Sequence, residues 1–312
     1  MPEPSTTLLR RTGAAPKIRR IVCKSGLRGS TLREDSFLGL STGGFHRVAY
    51  TEWGDEHDER LAVCVHGLTR NGRDFDELAK ALQKQRRVAC PDIVGRGRSD
   101  WLADKSQYNF ITYCADMTAM LARLRGTSVD WVGTSMGGQI GMILAAQPST
   151  PIGRLVLNDI GPFVPKEAPR RLLAYAGTQP PPFASIADAE RYIRDIYAPF
   201  GKLSDAQWVH ITRHSLKEID GNRYALAYDP GIVEPLKEMQ RADFHIWPLW
   251  DRIRCPVLVL RGKESDVLLA STLEEMKRRG PRIEVVEIDG VGHAPTLTDA
   301  KHVRIVRDWL LG

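Results

Sequence analysis

The sequence predicts an α/β protein with a mostly parallel sheet that is interrupted by a helical insertion. Three observations point to it. From about residue 46, short apolar runs alternate with segments of helical periodicity. Several of these runs are apolar throughout, as strands covered on both faces are. The alternation stops between residues 161 and 252 and then resumes. A length of 312 residues suits one large domain carrying an insertion.

Taken in order, Phe45–Glu52 alternates as a half-buried strand, and Leu61–Val65 is continuously apolar. Phe75, Leu78, Ala79 and Leu82 recur at helical spacing before a strand at Arg87–Cys90. Ile111, Cys114, Met117 and Leu121 define the next helix face, followed by a strand at Val129–Val132. A small-residue helix runs from Gly137 to about Ala146, and Arg154–Asn158 forms the next strand. The insertion shows no clear strand; Ile186–Tyr197 and Ser204–Leu216 read as amphipathic helices with Ser185 and Ser204 as N-caps. Strands return at Pro256–Leu260 and Ile283–Ile288, and a final helix covers about Thr298–Leu311. The chain thus divides into a basic extension (1–44), a first core part (45–160), a helical cap (161–252) and a second core part (253–312).

The net charge of +6 would suggest a nucleic-acid partner if it were spread over the fold. It is not. Residues 1–33 hold eight Lys/Arg and a single acid, Glu3, so the remaining chain carries −1. The extension reads as a solvated arm and leaves organelle targeting open; the body offers no face for nucleic acid. No apolar stretch approaches the roughly 18 residues of a spanning helix. Five cysteines without a CxxC imply a reducing, cytoplasmic setting, with neither a disulfide framework nor a metal site. A homodimer is left open.

The chemistry is concentrated at Val132-Gly-Thr-Ser135-Met136-Gly-Gly138, between an apolar strand and a small-residue helix. This is the context a G-x-S-x-G nucleophile elbow requires, with Ser135 on a sharp turn at the carboxyl edge of the sheet. A serine hydroxyl needs a base, and the base needs an acid. His293, in the glycine-bracketed loop Asp289-Gly-Val-Gly-His-Ala-Pro, is the one histidine that is both downstream of the elbow and on a strand-end loop. For the acid, Asp266 in Arg261-Gly-Lys-Glu-Ser-Asp is preferred, Glu264 is expected to face solvent, and Asp159 at the end of the preceding strand is the competitor. Oxyanion donors are expected from the amides of Met136 and of Leu68, the latter in Val65-His-Gly-Leu-Thr-Arg, where His66 is read as bracing the turn.

From residue 45 onward the chain resembles the α/β-hydrolase superfamily, in particular its single-cap serine hydrolase group with an H-G oxyanion motif. The elbow, the H-G loop, Pro91-Asp-Ile-Val-Gly-Arg-Gly-Arg-Ser99-Asp and the terminal G-x-G-H-A-P carry the resemblance. It implies a mostly parallel, doubly wound sheet of about eight strands and a serine hydrolase that needs no cofactor. The implied reaction cleaves a small carboxylic ester, or a thioester or lactone, through an acyl-enzyme on Ser135. Carbon–carbon bond hydrolysis or enol-lactone hydrolysis is the alternative on the same scaffold; a slow binding protein and an acyltransferase are the others. Arg70 could grip a substrate carboxylate, which would favour the carbon–carbon and enol-lactone chemistries, or pair with Asp74; Trp101 could wall the pocket or simply pack.

Overall fold

The computed structural model describes residues 32–177 and 179–312. The first half of the sheet comes from β1 (Arg33–Ser41), β2 (Gly44–Trp53), β3 (Arg60–Val65), β4 (Arg87–Pro91), β5 (Ser128–Thr134) and β6 (Ile152–Asn158). Helices α1 (Asp76–Leu82), α2 (Phe110–Leu124) and α3 (Met136–Ala145) connect them. The insertion contributes β7 (Phe163–Val164), α4 (Glu167–Ala176), α5 (Ile186–Ile196), α6 (Asp205–Ser215), β8 (Leu216–Ile219), β9 (Arg223–Leu226), α7 (Glu234–Met239), β10 (Phe244–His245) and α8 (Trp247–Trp250). The sheet is completed by β11 (Val257–Gly262) and β12 (Ile283–Ile288), with α9 (Ala270–Arg278) between them and α10 (Ala300–Leu311) closing the chain. Its order is β1-β2-β4-β3-β5-β6-β11-β12; β2 pairs antiparallel with both β1 and β4, and all the other neighbours pair parallel.

The apolar runs are explained by two cores, one on each face. Along β5, Val129 and Trp131 enter one core and Val132 the other; along β6, Leu155 and Leu157 oppose Val156; along β11, Val257 and Val259 oppose Leu258 and Leu260. Met117, Met120 and Leu124 of α2 and Ile140 of α3 cover the first face. Phe75, Leu78 and Leu82, with Val303, Val306 and Leu310 of α10, cover the second. Each fully buried side chain of this kind contributes about 1.5–3 kcal/mol.

Three expectations need correction. The sheet begins at Arg33, not at residue 45: β1 pairs with β2 along its whole length, and Arg33 and Arg87 both reach the buried Glu52. The α2 face is rotated, because Ile111 is 83% exposed while Thr112, Tyr113, Asp116 and Met117 are buried. The insertion also contains strands, the β8–β9 hairpin and the β7–β10 pair, which are too short to register as alternation. The N-caps at Ser185 and Ser204 form, the second as a full capping box. Residues 1–31, the basic arm, lie outside the described residues. Among those described, no helix is long and apolar enough to cross a membrane.

Candidate active site

Ser135 sits between β5 and α3 at φ 52°, ψ −117°, a region an L-residue enters only at a cost of order 1–3 kcal/mol. The glycines make the turn geometrically feasible. A Cβ on Gly133 would overlap the Gly137 carbonyl, and one on Gly137 would overlap the Val65 carbonyl oxygen. The turn is held by Ser135 N–H donating to the Asn158 carbonyl at 3.1 Å.

His293 reaches Ser135, its Nε2 lying 2.8 Å from Ser135 Oγ. Its other nitrogen, Nδ1, lies 2.8 Å from Oδ2 of Asp159, not of Asp266. The carboxylate that pairs with His293 is therefore that of Asp159 and not the expected Asp266, for a reason that lies in two adjacent strand ends. Asp159 follows β6 at φ 56° and is fully buried. Its Oδ1 accepts from the Gly262 amide at 2.9 Å, and its Oδ2 accepts from the Ser265 hydroxyl at 2.5 Å. After β11, Ser265 is the residue turned inward, its Oγ accepting from the amides of Val267 and Leu268. That turn leaves Asp266 and Glu264 exposed.

Two supporting residues escaped the sequence reading. Asn158 donates to Thr134 Oγ1 at 3.0 Å and to the Pro295 carbonyl at 2.8 Å, tying the nucleophile strand to the histidine loop. Ser265 carries no motif that would announce it; the strand-end dipeptide Asn158-Asp159 was the available signal for the first. Gly262 permits the loop to approach, since a Cβ there would overlap the Val291 carbonyl oxygen.

Met136 is the first residue of α3, where amides have no intrahelical acceptor. Leu68 lines the cleft beside Ser135 and His293. His66 braces this loop from behind. Its Nδ1–H donates to the Gly67 carbonyl at 2.6 Å, and its Nε2 accepts from the Ile93 amide at 2.9 Å, an arrangement that needs neutral imidazole. Burial supplies that state by lowering its pKa to about 4.

Ser135, Leu68 and Leu172 border two chambers at once. One, about 60 Å³, carries Thr69, Arg70, Asp74, Tyr197, Thr296 and Thr298. The other, about 260 Å³, is walled by Tyr108, Phe110, Tyr113, Met136, Ile160, Val164, Leu236 and Phe244. Arg70 lines the smaller chamber but is committed: it binds Asp74 through Nε (2.9 Å) and NH2 (2.5 Å), donates to Ser215 Oγ at 2.6 Å and lies over the Tyr197 ring. The expected grip on a substrate carboxylate gives way to the Asp74 pairing. Trp101 is corrected too. It borders neither chamber but a separate surface cavity with Phe45 and His46, under Lys217 at 3.6 Å.

Asp76, His210 and His214 also converge, at the seam of α1 and α6, with ligand atoms within 4.8 Å of one another. Arg73 holds the Asp76 carboxylate through two nitrogens, and His210 Nε2 donates to the Arg73 carbonyl at 3.0 Å. A bound cation would have to displace that guanidinium.

Residues 62–304 match the alpha/beta hydrolase family. The chain belongs to this family. The 3-hydroxybutyrate-oligomer hydrolase of Cupriavidus necator is 43% identical over 281 residues, covering 88% of this hydrolase and 96% of that relative. A hydrolase structure from Rickettsia typhi superposes with a TM-score of 0.82 at 32% identity, covering 90% of this chain and 99% of the other. An alpha/beta hydrolase from Novosphingobium aromaticivorans gives 0.77 at 32% identity, over 89% and 98%. The protein is an ester-hydrolysing enzyme of the carboxylic-ester type.

Proposed function

We propose that this hydrolase cleaves short ester oligomers of a hydroxy acid by a serine mechanism. The observation that carries the mechanism is the unbroken hydrogen-bonded chain Ser135–His293–Asp159. Ser135 Oγ attacks the ester carbonyl as His293 Nε2 takes its proton, and Asp159 stabilises the resulting imidazolium through Nδ1–H. The amides of Met136 and Leu68 hold the oxyanion. The C–O bond to the alcohol then breaks, the alcohol leaves with the proton from His293, and water resolves the acyl-enzyme by the same route.

The substrate class follows from the activity named for the Cupriavidus necator relative and from the two chambers. A hydroxy-acid oligomer alternates methyl-bearing carbons with ester oxygens. Its methyl-bearing acyl side suits the apolar chamber, and its leaving side, an alcohol that ends in a carboxyl group, suits the one where Thr69, Thr296 and Thr298 offer hydroxyls. With Arg70 already paired, the feature that favoured carbon–carbon or enol-lactone hydrolysis is spent on Asp74. A cytoplasmic setting accords with four free cysteines among the described residues.

The test compares linear 3-hydroxybutyrate dimer and trimer with 4-nitrophenyl acetate, butyrate and octanoate, using wild type and Ser135→Ala. The proposal expects the oligomers and short esters to turn over faster than octanoate, all activity to be lost in the variant, and a fluorophosphonate to label Ser135. Octanoate preferred over the trimer would remove the substrate assignment; turnover by Ser135→Ala would remove the mechanism.

A further inference from the structure

Behind Leu68 and Met136, the two residues proposed to hold the oxyanion, lies a cation that the serine mechanism has not used. Arg96, the central residue of Gly95-Arg-Gly97, is fully buried. Its Nε donates to the Leu68 carbonyl at 2.7 Å, and its NH1 donates to the Val94 carbonyl at 2.8 Å and the Tyr113 hydroxyl at 2.9 Å. Its NH2 lies 3.5 Å from Met136 Sδ. Tyr108 and Tyr113 present their rings to the guanidinium at 5.7 and 5.1 Å. Among the described residues no carboxylate forms an ion pair with it; Asp229, between β9 and α7 with its amide on the Gly95 carbonyl, is occupied by the Tyr108 hydroxyl and by Lys105.

An arginine taken wholly out of water without a counter-ion is costly, and buried charges are normally paired. Here neutral acceptors and two aromatic faces satisfy it, and its charge is left uncancelled. One guanidinium therefore touches both oxyanion residues, fixing the Leu68 peptide through its carbonyl and packing on the Met136 side chain. Negative charge develops beside those residues only during the reaction. We propose that Arg96 is a positioning residue for the oxyanion hole, which holds the Leu68 and Met136 backbones in place and supplies a buried positive field favouring the tetrahedral intermediate over bound ester. The inference rests on Ser135 being the nucleophile.

The experiment uses the full chain and Arg96→Met, Arg96→Lys and Ser135→Ala. Turnover of 4-nitrophenyl butyrate is measured alongside inhibition by an aryl trifluoromethyl ketone. With that ketone Ser135 Oγ bonds to the carbonyl carbon, the carbonyl electron pair moves onto oxygen, and the serine proton passes to His293. Arg96→Met should lower kcat about 100-fold with KM within about threefold, as removal of an oxyanion donor does, and should weaken ketone inhibition by a like factor. Arg96→Lys keeps the charge but cannot span the three acceptors, and it should fall about tenfold in both readouts. If Arg96→Met does not fold, the lysine variant decides alone. The inference is overturned if the folded variants keep kcat within about threefold of wild type, or lose kcat while ketone inhibition stays unchanged. Fluorophosphonate labelling elsewhere than Ser135, or an active Ser135→Ala, would overturn the nucleophile and this inference with it; an inert Ser135→Ala beside wild-type-like Arg96 variants would overturn this inference alone.

Discussion

The carboxyl ends of β6 and β11 lie side by side in the sheet, and each is followed within a few residues by an aspartate. Asp159 leaves β6 directly, in a left-handed conformation, and is sealed from solvent. Asp266 comes four residues after the end of β11, past a turn that faces Ser265 inward and leaves the aspartate outside. The strand that lacks the acid still serves it, since Gly262 and Ser265 both donate to the Asp159 carboxylate. The difference teaches that the position of an acid in chain order does not decide its role; the direction of the side chain at the strand end does.

Breaking the comparison at its stronger side should have the largest effect. Asp159→Asn should lower kcat/KM by about 10³–10⁴-fold, because the amide favours the wrong imidazole tautomer and cannot stabilise imidazolium. Steady-state kinetics on 4-nitrophenyl butyrate with circular dichroism to confirm folding would check it. Gly262→Ala comes next. The added methyl must push the Val291–Gly292 backbone, and with it His293, outward. A fall in kcat of about 10–100-fold and a lower Tm are expected, since small misplacements of catalytic groups are costly. Ser265→Ala removes one donor from Asp159 and should reduce kcat by about three- to tenfold, consistent with loss of a hydrogen bond to a carboxylate. Asp266→Asn should leave kcat/KM within about twofold of wild type, as exposed substitutions do. Were Asp266→Asn the more damaging of the two aspartate variants, the comparison would be inverted and the assignment of Asp159 would fall.

What the sequence disclosed was local. The elbow could be read because strand, glycines, serine and helix are contiguous, and His293 because it follows Gly290 and Gly292 in a loop just after a strand. The choice of acid could not, since it depends on a φ of 56° at Asp159 and on which residue of a loop turns inward. Arg70 was open between two partners until Asp74 proved to lie within hydrogen-bond reach. Trp101 was placed by its nearness in sequence to a turn whose chain then leads away from Ser135. β1 stayed hidden for a longer-range reason. Its polar start, Arg33-Glu-Asp-Ser, shows no apolar alternation, and Arg33 finds its partner in the distant, buried Glu52. Gly39 within it looks like a strand breaker, yet a Cβ there would overlap the Asp116 carboxylate and His46, which pair across the strand.

The histidine loop is also fastened from above. Gly292 N–H donates to the Pro199 carbonyl at 2.8 Å, so the residue before the base is bonded to the insertion rather than to the sheet. An outward swing of the 198–200 turn must either break that bond or drag the base away from the serine. The position of His293 is thus set jointly by the insertion and by the sheet, so a disturbance of the 198–200 turn would be felt at Ser135.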